Sequence, residues 1–293
     1  MGNTGRQRAE STPDERKDRH QRERLVKLAR SAGKELSTFV KEIEEACPPG
    51  TSPAEALLDA AIVMAEQDQL KPALALLERS AALYEEQHDT AGLARVYVNM
   101  GPVYGMLGNI EKGISCSLKA ETLAHDLPLD SDLTLHYASD LGGMYTETEQ
   151  WDEAMRYFQL ACDTARSENN RELEADALLI MSQVAVAQGK ADLARELADQ
   201  GGAIGIGLAD KGFQARALQT LGDAEELDGR YQCALELFQK ALDMEADHPD
   251  TELRQQLFWE MSEACERLGN TALAEDYRSR AAELGGDEEE PGD

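Results

Sequence analysis

The side chains that could do chemistry in this 293-residue sequence are mostly carboxylates. The five histidines and five cysteines lie far apart, without the close spacing that a metal site or a disulfide framework requires. The HExxH, GxSxG and phosphate-loop motifs are all absent. We therefore predict a non-catalytic protein without a metal or cofactor. Aspartate and glutamate total 57 against 29 lysines and arginines, so the chemistry that remains is recognition of basic groups.

The charge is divided unevenly along the chain. The formal net charge is −28, but residues 1–30 hold nine basic and five acidic side chains, a net of +4. An acidic body argues against direct nucleic-acid binding, and contact with a membrane or another anionic surface is expected only through the basic N-terminal arm. The alternative is that the acidic surface serves solubility alone. The unpaired cysteines and the absence of a long apolar run predict a cytoplasmic protein.

Small residues recur with a period of 40 residues and indicate how these side chains are positioned. The first small position of each unit falls at Ala61, Gly101, Gly142, Ser182, Gly222 and Ser262. A second small position follows 12 residues later and a third 19 residues later in every unit, with helical apolar spacing around each. Small residues permit close helix crossings. The pattern predicts six helical hairpins over residues 52–284, stacked because no hairpin buries its apolar face alone.

The units at Leu141–Ala161 and Leu221–Asp243 resemble the tetratricopeptide repeat (TPR) family in their order of small and aromatic residues. The 40-residue period is similar to the kinesin light chain and Pins/LGN-like subgroups, and Asp247–Leu257 resembles the connectors of kinesin light chains. The resemblance implies an all-α, right-handed α-solenoid that binds proteins. It also implies a cytoskeletal adaptor of the bacterial kinesin light chain-like kind, with a tubulin-like filament or a motor as partner. The alternative is a regulatory sensor that binds a signalling peptide.

The segments outside the repeats are predicted as follows. Residues 1–13 form a disordered arm, and residues 285–293 form a disordered acidic tail. Apolar residues at heptad spacing between Leu25 and Ala46 predict an amphipathic helix over residues 14–47. This helix either caps the first repeat or forms a coiled coil in a homodimer. Four glycines within residues 201–207 predict an interrupted helix that serves as a hinge.

The first helix of each hairpin is expected to line the inner groove of the stack. Side chains six, three and two residues before the first small position, and one, four and five after it, reach this groove. Eleven of these residues are acidic and three are basic, which predicts an acidic groove for a basic or amphipathic partner segment. The candidate groove residues are Trp259, Glu260, Glu263, Glu266, Asp223, Glu226, Arg216, Asp176, Asp140, Glu147, Asn99 and Met106.

Overall fold

In a computed structural model, residues 40–41, 52–125, 127, 130–244 and 251–285 are described. All regular structure within these ranges is helical, as predicted. From Pro53 onward, twelve helices pair consecutively into six hairpins. They are α1 (Pro53–Ala65), α2 (Leu70–Gln87), α3 (Thr90–Met106), α4 (Ile110–Ala124), α5 (Ser131–Glu147), α6 (Trp151–Ser167), α7 (Arg171–Ala187), α8 (Ala191–Leu208), α9 (Lys211–Leu227), α10 (Tyr231–Met244), α11 (Thr251–Arg267) and α12 (Thr271–Gly285).

The hairpins belong to two compact units, residues 1–140 (unit 1) and residues 141–293 (unit 2), with the boundary inside α5. In unit 1, α1 to α4 pack around a core that includes Leu57, Leu76 and Val96. In unit 2, one core cluster forms around α7 and α8, and a second around Phe238 and Leu257. Each core lies between successive hairpins, which is why a single hairpin would leave its apolar face exposed.

The small residues of the repeat are all buried, which confirms why they recur. The eighteen buried positions are Ala61, Gly101, Gly142, Ser182, Gly222, Ser262, Ala73, Gly113, Ala154, Ala194, Ala234, Ala274, Ser80, Ala120, Ala161, Gly201, Ala241 and Ala281. A Cβ atom on Gly222 would come within 2.3 Å of the Phe238 ring, and one on Gly142 within 2.6 Å of Phe158. In the third and fifth hairpins, the first small position therefore makes room for the aromatic residue of the second helix.

The turn inside a hairpin requires a left-handed residue seven positions after the first small residue. Gly108, Gly189, Gly229 and Gly269 occupy this position with φ between 70° and 78°. In the first and third hairpins, Asp68 and Glu149 adopt the same conformation with φ of 59° and 57°. This left-handed conformation, shared by all six hairpins, ends the first helix and reverses the chain.

The glycine-rich segment does not interrupt its helix, so the sequence-based expectation was wrong. Helix α8 runs without a break from Ala191 to Leu208. A Cβ on Gly201 would approach the Leu179 side chain within 2.8 Å, and one on Gly205 would approach Phe213 within 2.7 Å. Close contacts with α7 and α9 therefore compensate for the low helix propensity of glycine, because tertiary packing outweighs propensity.

Several predicted segments lie outside the described residues. They are the arm at residues 1–13, the tail from residue 286 onward, and the segment 14–47 except for Val40 and Lys41, which are helical. Within the described ranges, no helix combines the length and the apolarity needed to cross a membrane.

Candidate partner-binding site

Unit 2 brings together four carboxyl groups from the first helices of the last two hairpins. Asp223 and Glu226 lie three residues apart on α9, and Glu260 and Glu263 lie three apart on α11. A three-residue spacing places each pair on one side of its helix, and α9 packs directly against α11. We call Asp223, Glu226, Glu260 and Glu263 the carboxyl cluster.

Gln219 supports this cluster and was not recognised as a site residue in the sequence. Its side chain is 2% exposed, and its Nε2 donates a hydrogen bond of 2.7 Å to Oε1 of Glu260. It lies three residues before the small Gly222, where the first and fourth hairpins have Leu58 and Leu179. A glutamine at a position that holds leucine in two hairpins, and valine, serine or tryptophan in the others, was the available sequence signal.

Burial weakens the acidity of the cluster. It raises the pKa of Asp223 and of Glu226 to about 7, with further contributions from Glu226 on Asp223 and from Glu263 on Glu226. The pKa of Glu260 is raised to about 9, first by burial and then by the charge of Asp223. Near neutral pH, Asp223 and Glu226 therefore hold their protons in part and Glu260 holds its proton largely, because burial and the charge of neighbouring acids both disfavour ionisation.

Two oxygens of the cluster are also left without partners. Glu226 Oε1 and Glu260 Oε2 are buried, and neither has a hydrogen-bond partner in the described part of the chain. Arg267 is the cation beside them: it lowers the pKa of Glu226, and its Nη2 lies 3.3 Å from Oε1 of Glu263. An unpartnered buried carboxylate is costly, so a donor that reaches these oxygens gains strong, charge-assisted hydrogen bonds.

An apolar side chain and an open cavity adjoin the cluster. Trp259 on α11 is 46% exposed. It contributes to a cavity of about 510 Å³ that is also lined by Ser262, Glu263, Glu266, Arg267 and Arg278. Glu266 forms an ion pair with Arg278 across the hairpin. The carboxyl cluster and the Trp259 cavity share Glu263 and are therefore adjacent.

The remaining predicted residues of unit 2 do not join the cluster. Arg216 Nη1 lies 2.6 Å from Asp176 Oδ1, so these two groove residues of α9 and α7 neutralise each other. Glu147, at the end of α5, is exposed. These residues belong to the same predicted face, but Arg216 and Asp176 are paired with each other and Glu147 is exposed.

The three predicted residues of unit 1 form no comparable group. Asn99 donates from Nδ2 to the backbone carbonyl of Arg95 on its own helix at 2.8 Å. Met106 is 61% exposed at the end of α3. Burial raises the pKa of Asp140, in α5, to about 7. The candidate site is therefore placed in unit 2.

Among the described residues, no group of three or more histidines, cysteines, aspartates or glutamates is arranged to hold a metal ion. Cys116, Cys162 and Cys265 are buried free thiols, and Cys233 is an exposed one. The arrangement of the carboxyl cluster suits an organic cation that brings its own hydrogen-bond donors.

Comparisons with known proteins identify the fold. No family model matches the chain, and no curated protein matches it by sequence. Solved structures do match, at low identity. BtubC (BKLC) from P. vanneervenii is 18% identical, with a TM-score of 0.60 over 76% of this chain and 94% of that one. NprR in complex with its cognate peptide NprX is 14% identical, with a TM-score of 0.63 over 95% and 81%.

A third similar structure belongs to a protein whose name includes a tetratricopeptide repeat. It is a signal transduction ATPase with numerous domains from Pyrococcus horikoshii, which has a tetratricopeptide repeat sensor. It is 15% identical, with a TM-score of 0.70 over 87% of this chain, and this chain spans 38% of its length. The helical hairpins, their buried small residues and these likenesses agree: the chain has the fold of tetratricopeptide-like repeat proteins.

Proposed function

We propose that this protein is a non-catalytic adaptor whose carboxyl cluster, together with Trp259, binds a cationic segment of a partner protein. The observation that carries the proposal is the pair of buried oxygens, Glu226 Oε1 and Glu260 Oε2, which have no partner among the described residues. Arg267 lowers the pKa of Glu226 and pairs with Glu263, but it does not contribute to the pKa of Asp223 or Glu260. A lysine or arginine of a partner supplies the missing donors and the missing charge.

The local environment makes such a contact strong. The carboxylates are partly desolvated before the partner arrives, so their interaction with a cation is weakened less by water than that of an exposed pair. Trp259 offers an aromatic face beside them for the apolar stem or the charged head of the same residue. An aromatic anchor beside desolvated charges is the usual composition of a binding hot spot.

Two finer forms of the proposal differ in the kind of partner. The similarity to BtubC (BKLC), together with the kinesin-light-chain-like period, favours a cytoskeletal partner such as a tubulin-like filament or a motor. The similarity to NprR, which is described with a bound peptide and matches 95% of this chain, favours a short signalling peptide. Both forms use the same cluster, since a filament protein and a peptide would each present lysine or arginine to it.

The test uses a triple variant in which Trp259→Ala is combined with Glu260→Lys and Glu263→Lys. The full-length protein and the variant are used to capture partners from native lysate at low and moderate salt, and bound proteins and peptides are identified by mass spectrometry. We expect the triple variant to capture at least about tenfold less of the specific partner than the unmodified protein does. The class of molecule captured distinguishes a filament or motor protein from a peptide.

A matched control distinguishes the loss of the binding site from a general effect of the changed net charge. The double variant Glu153→Lys with Glu236→Lys makes the same change in net charge at two exposed positions on α6 and α10. It is expected to retain the partner, and circular dichroism checks that both variants keep their helicity. If the triple variant captures as much partner as the unmodified protein, the carboxyl cluster is not the binding site.

A further inference from the structure

Two carboxylates between neighbouring hairpins of unit 2 are neutralised by arginine. Glu174 on α7 is only 4% exposed, and Arg166 at the end of α6 donates a hydrogen bond from Nε to its Oε1 at 2.9 Å. Asp176, also on α7, accepts a hydrogen bond of 2.6 Å from Nη1 of Arg216 on α9. In each contact, the guanidinium comes from the adjacent hairpin, so the acid of one hairpin is neutralised by a cation of another.

Arg195 shows that one guanidinium can serve several acceptors between two hairpins. Its side chain, on α8, is 21% exposed. It donates to Asp192 Oδ1 on its own helix at 2.9 Å and to Glu225 Oε1 on α9 at 3.1 Å. It also donates to the backbone carbonyl of Ala224 at 3.0 Å and to Asp228. The planar fork of five N–H donors lets a single arginine bridge acceptors that belong to two helices.

The interface between α9 and α11 has the acids but not the arginine. Gln219 donates to Glu260 Oε1 and brings no charge. Arg267 lies nearby, but its side chain is 59% exposed and its Nη2 donates to Glu263. Glu226 Oε1 on α9 and Glu260 Oε2 on α11 are buried, and no group in the described part of the chain donates to them. A guanidinium like that of Arg166 or Arg195 is therefore what this interface lacks.

We infer that the cation of the partner is the guanidinium of an arginine, which enters between α9 and α11 and donates to Glu226 Oε1 and Glu260 Oε2 together. The inference rests on the proposed function and specifies the residue that the carboxyl cluster recognises. Because the two oxygens belong to different helices, a planar fork suits them. Lysine suits them less, because its compact ammonium is more strongly hydrated and would lose more hydration beside buried oxygens.

The Trp259 cavity indicates which residues flank this arginine. The cavity of about 510 Å³ adjoins the carboxyl cluster at Glu263. The charges of its wall are balanced within the hairpin, because Arg267 pairs with Glu263 and Arg278 pairs with Glu266. The exposed ring of Trp259 adds an apolar surface. The recognised segment therefore carries one arginine with uncharged, apolar neighbours rather than a run of basic residues.

The test compares three short peptides that have a central arginine, lysine or citrulline between two leucines. Each is titrated into isotope-labelled full-length protein at pH 8, where Asp223 and Glu226 are largely ionised because their pKa is about 7. Calorimetry measures affinity, and the NMR signal of the Gln219 side-chain amide reports on the interface. We expect the arginine peptide to bind at least about tenfold more tightly than the lysine peptide. Citrulline keeps the shape of arginine without its charge, and its peptide should not bind.

A variant that removes the two acceptor charges locates the preference. Glu226→Gln combined with Glu260→Gln keeps the size of both side chains, and this double variant should bind the arginine and lysine peptides equally weakly. The control, Glu153→Gln combined with Glu236→Gln, removes the same charge at exposed positions on α6 and α10. It is expected to bind the arginine peptide as the unmodified protein does. If the first variant does not fold, Glu260→Gln alone is measured in the same way.

The outcomes separate this inference from the proposed function. If the lysine peptide binds as tightly as the arginine peptide or more tightly, and the double variant loses that binding, the arginine inference is wrong and the carboxyl cluster remains a cation site. If neither cationic peptide binds, or if the double variant retains the binding in full, both the inference and the proposed function are wrong.

Discussion

Replacing Glu260 by glutamine should make unit 2 more stable at neutral pH but not at acidic pH. The pKa of Glu260 is raised from 4.5 to about 9, chiefly by burial. Between these values the folded protein holds a proton that the unfolded chain releases, so the free energy of unfolding decreases as the pH rises through this window. Below about pH 4.5 both states are protonated, and this cost is absent.

The size of the stability change follows from the pH interval between the two pKa values of Glu260. Each pH unit between the two pKa values lowers the free energy of unfolding by about 1.36 kcal/mol, so the change from pH 5 to pH 7 is at most about 2.7 kcal/mol. Asp223 and Glu226 titrate together with Glu260 and share this cost. For Glu260→Gln alone, we therefore expect a gain of about 2 kcal/mol over the unmodified protein at pH 7. The glutamine still accepts the hydrogen bond from Gln219.

The assay is urea unfolding at pH 5, 6, 7 and 8, followed by tryptophan fluorescence. Both tryptophans, Trp151 and Trp259, belong to unit 2 and report on it. The control is Glu263→Gln, because Glu263 is 61% exposed and paired with Arg267, and its effect should stay within about 0.5 kcal/mol at every pH. An advantage of Glu260→Gln that is constant or shrinking from pH 5 to pH 8 would refute the reasoning.

Other consequences of the structure can be measured directly. Gly222→Ala should lower the free energy of unfolding by about 1–3 kcal/mol, because the new Cβ would lie 2.3 Å from Phe238. Gly207→Ala should instead raise the free energy of unfolding by up to about 1 kcal/mol, because no atom lies within 4 Å of the new Cβ. Equal urea midpoints for the two variants would contradict this. The affinity of the carboxyl cluster for a cationic partner segment should rise from pH 6 to pH 8, because the cation binds the ionised acids. Calorimetry in two buffers measures the protons that are released on binding. An affinity that does not depend on pH would contradict the role of the cluster.

The repeat was predictable from sequence because its constraint is local and occurs six times. A small residue is required wherever an aromatic ring of the same hairpin packs onto the first helix, as at Gly142 with Phe158 and Gly222 with Phe238. The turn glycines recur for an equally local reason, their positive φ. Each of these requirements can be recognised from residue types at fixed spacing, without knowledge of the neighbouring hairpins.

Features that depend on neighbouring hairpins were not predictable in the same way. The glycines of α8 are poor helix formers, and only their contacts with Leu179 and Phe213 show why the helix continues. Likewise, the sequence places Arg216 and Asp176 on one face but does not show that they pair with each other. The support that Gln219 gives to Glu260 depends on the next hairpin covering it.

The residue at position 219 explains why the carboxyl cluster is better suited to a partner than to stabilising the fold. A lysine or arginine at this position would neutralise Glu260 within the protein, yet the residue is glutamine, which donates one hydrogen bond and brings no charge. Glu260 is thus held in place while its second oxygen stays buried and unpartnered. The fold bears the cost of a carboxylate that is oriented but not neutralised, and both a proton and a cationic side chain remove that cost. In the proposed binding mode, the cation of a partner would compete with protons for the same oxygens, so partner binding and the pH dependence of stability would have a common origin.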